Sequence, residues 1–407
     1  MKLGKIAAVA VASAMAVSTF SVASPASAVQ NIVVWADKGT IDTIKTKVQA
    51  WDTANADYTV TLVQKDFSTV RDALKVAVPK GQGPDILAGA AHDWVGNLVK
   101  ANVLLPIDAQ LPANFKDDFV GGALQAMKYN GHYYGVPGWT ENIAFLRNVK
   151  KQKTRITSIN QVKNGEIGIN YSATTSDPYH FYPFQTMFDA PVFTMDGGGD
   201  WTETVGMGGT KGANFAKWLK SKGTAFFGKP ADAKILCNFL NGKIKYWISG
   251  PWQIKNIQEG AAACKTGLKY GSGYAIDSFP VGPTGIKGVP FLGAKGAFMT
   301  NSPNTDVVTS TQLLNFLAGK EAGIAYFNAE YAAPANKAAL AVASNDAAIK
   351  AFAAVGKGVL AMPNIVAMDS VWDKWGKTEA KIVTGKSTNP AADWKTMTSA
   401  ITALTKG

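Results

Sequence analysis

Residues 83–98 read GPDILAGAAHDWVGNL. Gly83 and Pro84 end whatever precedes them, and GPDILAG (83–89) carries a short apolar run of the kind that forms a buried strand. HDWVGNLVKANVL (92–104) then spaces its apolar residues as a helix does. The same step occurs twice before it. IVVW (32–35) predicts a strand, and Ile41, Ile44, Val48 and Trp51 follow at helical spacing. YTVTLVQ (58–64) alternates and is rich in β-formers; Phe67, Val70, Leu74 and Val78 mark a helix that Pro79 and Gly81 stop. Three strand–helix steps in a row predict an α/β fold with a mostly parallel sheet and helices on both faces.

Further along, KYNGHYYGVP (128–137) places Asn-Gly between β-formers and predicts a hairpin. IAFLR (143–147) reads as another strand, and EIGINYS (166–172) restarts the pattern. MDGGGDWTETVGMGGTKG (195–212) reads as a Gly-rich loop. Residues 307–328, 344–355 and 365–383 are expected to be helical, as is the last segment, where Trp394, Met397, Ile401 and Leu404 form one core-facing stripe. No internal repeat or long linker interrupts the chain.

The first 28 residues carry the marks of an export leader. Lys2 and Lys5 precede the apolar run 6–20, and ASA at 26–28 supplies the small residues of a cleavage site. No cysteine lies near that cut, so no lipid anchor is expected there. No later run is long enough to span a membrane. The mature chain is therefore expected to be exported to the periplasm or the cell exterior and to remain in solution. It is long enough for two domains.

The formal charge is +12, and Lys2 and Lys5 leave with the leader. Only Arg71, Arg147 and Arg155 are arginine, and the lysines are scattered. Nucleic-acid readout favours the arginine fork, so the charge reads as a lysine-rich surface and no nucleic-acid partner is expected. Cys237 and Cys264, in an exported chain, are expected to form a disulfide. The three histidines (His92, His132, His180) have no ligand spacing, and no metal or cofactor is expected. TGKST (384–388) lacks the glycine that a P-loop needs, since Ala380 stands there. No nucleophile elbow or zinc motif is present, and nothing pairs two carboxylates for glycoside hydrolysis.

What stands out is aromatic rings beside turn residues. Tyr179 follows Pro178, Trp252 follows Pro251, and Trp372 closely follows MPNIVAMDS (362–370). A sugar offers an apolar C–H face and a polar rim, so a sugar site combines rings with charged side chains on loops. Asp37, Lys38, Asp93, Glu141 and Asp177 lie on expected loops of this kind. Each ring alone could be core and each acid alone a helix cap; the combination carries the reading.

The blocks GPDILAGAAHDWVGNL (83–98), YNGHYYGVPGWTEN (129–142), DPY (177–179), YWISGPWQIKNI (246–257) and AMPNIVAMDSVW (361–372) occur in an order that resembles the maltose/maltodextrin-binding proteins, receptors of ABC importers. The resemblance spans the mature chain. It implies a two-lobe periplasmic-binding-protein-like fold of type II, each lobe a mostly parallel sheet flanked by helices, with the ligand in the cleft between lobes. The implied lobes are 29–139 with 293–343, and 140–292 with 344–407. By position, Trp252, Tyr179 and Trp372 match sugar-stacking rings, Met362 an apolar cleft residue, and Asp37, Lys38, Asp93, Glu141 and Asp177 hydroxyl partners. Asp177 stands where well-known members carry Glu. Ala90 replaces a frequent Trp, Trp94 a frequent Arg, and Ile254 an aromatic, so the resemblance leaves the identity of the sugar open. It implies an oligosaccharide ligand, membrane permease partners, a monomer and no catalysis. A receptor of the same fold for a polyamine, or a secreted carbohydrate-active enzyme, is the rival reading.

Overall fold

The computed structural model describes residues 29–197, 200–264 and 266–405; the expected leader, 1–28, lies outside the described residues. The chain folds into two lobes, each built on its own sheet.

The first sheet has six strands in the order Ala333–Pro334, Gly135–Glu141, Gly293–Met299, Ile86–Ala91, Gln30–Ala36, Tyr58–Gln64. Alternation along the strands explains why both faces are covered. Ile32, Val34 and Ala36 enter one apolar core with Ile44 and Val48 of the helix Lys38–Ala54. Trp35, between them, enters another core with Val70 and Leu74 of the helix Val70–Ala77. Ile86 and Leu87 divide between the same two cores. Each strand thus sends its side chains to helices above and below.

The second sheet has the order Tyr274–Asp277, Ala144–Asn148, Tyr246–Ser249, Ile167–Gly168. Phe145, Tyr246 and Ile248 face one core, and Leu146, Trp247 and Ile276 the other. The strands Gln30–Ala36, Tyr58–Gln64 and Ile86–Ala91 pair in parallel, as the strand–helix steps predict. The expectation of mostly parallel sheets fails elsewhere. Gly293–Met299 runs antiparallel to both of its neighbours, and in the second sheet only Tyr246–Ser249 and Ile167–Gly168 pair in parallel. The reason is the path of the chain. It leaves the first lobe through Gly135–Glu141 and returns through Gly293–Met299, so the outgoing and returning strands lie side by side in opposite directions.

The lobes are tied where these crossings meet. Leu292 N–H donates to Leu360 O at 3.1 Å, and Met362 N–H to Leu292 O at 2.9 Å. His92 Nε2–H donates to Met362 O at 2.8 Å, while its Nδ1 accepts from Ala294 N–H at 3.1 Å. This fully buried ring therefore joins the turn His92–Trp94 to two crossing segments.

Other elements follow the sequence with local corrections. Asn130 and Gly131 form the expected tight turn with φ of 48° and 87° between the paired strands Lys128–Tyr129 and His132–Tyr133. The expected helix 307–328 is broken at Gly319 into Val307–Ala318 and Lys320–Glu330. The region 365–383 divides into Val366–Asp369 and Trp372–Val383. The Gly-rich stretch is not all loop, since Trp201–Val205 pairs with Phe193–Met195. Trp394, Met397 and Ile401 are buried, but Leu404 is exposed near the last turn. Phe67 is not a core residue of its helix, which begins only at Val70.

Cys237 and Cys264 form the expected disulfide. It ties the helix Ile235–Leu240 to the segment beyond the helix Ile254–Glu259, and closing a loop of this length stabilises the fold by about 3.5 kcal/mol in the chain-entropy model. All three arginines are engaged within the fold. Arg147 Nε donates to Asp277 Oδ2 at 2.6 Å, Arg71 pairs with Asp369, and Arg155 donates to Ser278 O.

Candidate ligand-binding cleft

A cavity of about 570 Å³ opens between the lobes. Of the residues singled out in the sequence, Asp37, Asp93, Trp94, Glu141, Asp177, Tyr179, Trp252, Met362 and Trp372 line it. Lys38 does not; its ammonium, largely exposed, pairs with Asp42 one turn along the helix surface.

The second lobe supplies a wall of rings. Trp252 sits on the single turn Pro251–Gln253 that opens the helix Ile254–Glu259. Its ring folds back over Gly250, where a β-carbon would lie 2.2 Å from ring atoms. Glycine at 250 is therefore required by the ring itself, and this explains the Gly-Pro-Trp order. Tyr179 stacks on Phe291 with centroids 6.3 Å apart and planes at 21°. Trp372 stacks on buried Trp375 at 5.8 Å and 14°. These rings are core on one side and open on the other, so the core and cleft readings each hold for half of every ring. Ile254, in place of a further ring, is buried beneath.

The carboxylates are set by local structure. Asp37 caps the helix Lys38–Ala54, accepting from Thr40 N–H at 2.9 Å and from Thr40 Oγ1 at 3.0 Å. Asp177 caps Pro178–Thr186 through Tyr179 N–H at 3.1 Å, while its other oxygen meets His180 Nδ1 at 2.6 Å. Burial alone would raise the Asp177 carboxyl, but His180 and the amides at 179 and 180 outweigh it, and the group lies below the usual range. Asp93, on the turn His92–Trp94, is raised by burial despite His92 and Arg71 nearby. The Tyr179 hydroxyl is shielded from solvent and makes no hydrogen bond. Burial, with Glu141, Asp177 and Asp93 around it, holds its proton firmly, so it is a free O–H donor among acceptors.

The sequence reading missed Phe67, Trp139, His180, Lys295, Tyr326 and Glu330, which also line the cavity. Trp139 could have been found. It lies two residues before Glu141 on the strand Gly135–Glu141 and so shares its face. Lys295 pairs in register with Trp139 across strands distant in sequence, and no local pattern announces that. His180 stands edge-on to Trp252 at 5.9 Å while holding Asp177, so one ring orients two lining groups. Trp94 is only 6% exposed and is covered by Phe67, whose centroid is 4.7 Å away.

Residues 47–357 match the family described as bacterial extracellular solute-binding protein. The chain belongs to that family. This extracellular solute-binding protein is 28% identical over 205 residues to the maltotriose-binding protein of Pyrococcus abyssi, covering 49% of this chain and 45% of that one. It is 27% identical to the maltodextrin-binding protein of Bacillus subtilis, covering 82% and 79% of the two chains. The Thermus thermophilus maltotriose-binding protein bound with maltotriose superposes with a TM-score of 0.76 at 23% identity, over 92% of this chain and 99% of that one. That last likeness is one of fold. Among the described residues of this solute-binding protein no helix is long and apolar enough to cross a membrane, and no group of His, Cys, Asp and Glu is placed to hold a metal ion.

Proposed function

We propose that this solute-binding protein captures a maltodextrin-like α-glucan in the cleft and presents it to the membrane permease of an ABC importer. The observation that carries the reading is the half-open ring wall of Trp252, Tyr179 and Trp372 lining one cavity together with Asp37, Asp93, Glu141 and Asp177. Sugar C–H faces pack on such rings, and carboxylates accept from hydroxyls in charge-assisted bonds. The Tyr179 hydroxyl donates where the acids cannot. Met362 closes the apolar floor. The relatives named for maltotriose and maltodextrin support the same ligand class.

The lobes are taken as 29–139 with 293–343, and 140–292 with 344–407, closing about the three crossings by a hinge motion that sequesters the ligand. The mature protein acts outside the membrane as a monomer, and capture leaves the sugar unchanged. Isothermal titration with maltose, maltotriose, cellobiose and spermidine, followed by chromatography of the recovered sugars, tests this. Saturable binding of the α-linked sugars without products is expected. Binding of spermidine alone, or release of shorter sugars, contradicts it.

Gly250→Ala provides a local check. The added methyl must push the Trp252 ring from its seat. Maltotriose affinity is expected to fall about fivefold, a part of what a stacking ring contributes. Unchanged affinity would show that the ring's position does not matter.

A further inference from the structure

We propose that Phe67 and Lys295 form a first-lobe subsite of this cleft, the Phe67 ring taking the C–H face of one sugar residue and the Lys295 ammonium donating to its hydroxyls. The proposal rests on the receptor reading above and assigns residues that neither the sequence motifs nor that reading uses.

Phe67 is the one large apolar side chain of the cavity lining that is exposed among the described residues, at 39%. The other first-lobe rings of the lining are sealed: Trp94 at 6%, Trp139 at 5% and Tyr326 at 2%. Phe67 packs its back on Trp94, which Arg71 covers in turn with its guanidinium 5.2 Å from the ring centroid. Phe67 thus stands on a fixed base, with part of its surface left open beside the cavity. Behind it the strand Ile86–Ala91 offers only small residues from Ala88 onward, and Ala90 borders the same narrow gap as Phe67 and Trp94. A ring from the loop before the helix Val70–Ala77 occupies space that this strand leaves.

Lys295 lies on the returning strand Gly293–Met299, in register with Trp139 on one side and Ala91 on the other, both lining residues. Its ammonium sits over the Phe67 ring at 5.0 Å and over Trp139 at 5.6 Å, against ring faces and not against a carboxylate. Its donors are therefore available to a ligand, in a cleft whose other charged lining groups include the acceptors Asp37, Asp93, Glu141 and Asp177. Hydroxyl groups both donate and accept, so a cleft of carboxylates alone would satisfy only half of their capacity. Phe67 and Lys295 together give the first lobe one apolar face and one donor, facing the rings of the second lobe.

Maltotriose affinity should be measured by isothermal titration for the wild type, Phe67→Ala, Phe67→Leu and Lys295→Met, with thermal unfolding of each. Phe67→Ala is expected to weaken binding about tenfold or more, with little change in melting temperature because the ring lies outside the cores. Phe67→Leu keeps the bulk and loses the flat face, and is expected to weaken binding comparably. Lys295→Met is expected to weaken binding severalfold, and the double variant to lose less than the product of the two. If the wild type binds maltotriose and the substitutions leave its affinity unchanged, the subsite is overturned and the receptor reading stands. If the wild type binds no sugar, the reading on which the subsite rests falls with it.

Discussion

The stability of this protein is expected to fall as pH rises from 5 to 8, by up to about 4 kcal/mol, because of Glu379. This carboxyl is fully buried in the helix Trp372–Val383. One oxygen accepts from Ser176 Oγ; the other has no hydrogen-bond partner. Burial first, and then the negative charge of Asp177, push it from 4.5 up to about 8. Its folded pKa is raised, so its contribution is fully present below the unfolded value and is lost as pH climbs toward the folded one. Between those limits the unfolded chain releases a proton that the folded chain keeps, at about 1.4 kcal/mol per pH unit. Asp177, Glu166 and Asp393 are shifted downward, and their contributions are lost only in acid, outside this window; Asp85 and Asp93 are raised by burial and add to the fall from its acid end. Urea unfolding at pH 5.5, 6.5 and 7.5 should show the decline, and Glu379→Gln, neutral throughout, should flatten it. A slope undiminished in the glutamine variant would place its origin elsewhere.

Trp252→Ala is expected to weaken α-glucan binding by about 1–3 kcal/mol, or about 5- to 150-fold in Kd. The ring lies half-buried against the second-lobe core and is oriented by Gly250 beneath it and by His180 at its edge. Removing it strips one face from the bound sugar while leaving Tyr179 and Trp372 in place. Trp252→Phe, which keeps a smaller flat face, should retain most of the affinity. Trp252→Ala also removes the side of the ring packed on the second-lobe core and should unfold at a lower temperature than the wild type, whereas Trp252→Phe should unfold close to it. Equal affinity for wild type and Trp252→Ala would remove this ring from the site.

Much of the first lobe can be read from its sequence because strand alternation and helical spacing are local signals. Ile32, Val34, Ile44 and Val48 reach one core as their periods require. The antiparallel returns cannot be read that way. The partners of Gly293–Met299 lie more than a hundred residues earlier, and direction depends on where the chain crosses between lobes. The same limit governs the cleft. Trp252, Tyr179 and Asp177 announce themselves by the turn and cap residues beside them. Lys295 is brought to the cavity by pairing alone, and Phe67 by the point at which its helix fails to start. Lys38 shows the converse, since adjacency to Asp37 in sequence does not carry its side chain to the same side of the helix.

The most direct test of the central claim is the intrinsic tryptophan fluorescence of the mature protein, titrated with maltotriose and, separately, with spermidine. Trp252 and Trp372 line the cleft with one side open, so a sugar stacked on them changes their environment. A saturable change with maltotriose and none with spermidine is the predicted result. Silence with maltotriose together with a saturable response to spermidine would contradict it, leaving the fold in place and assigning the cleft to a cationic solute.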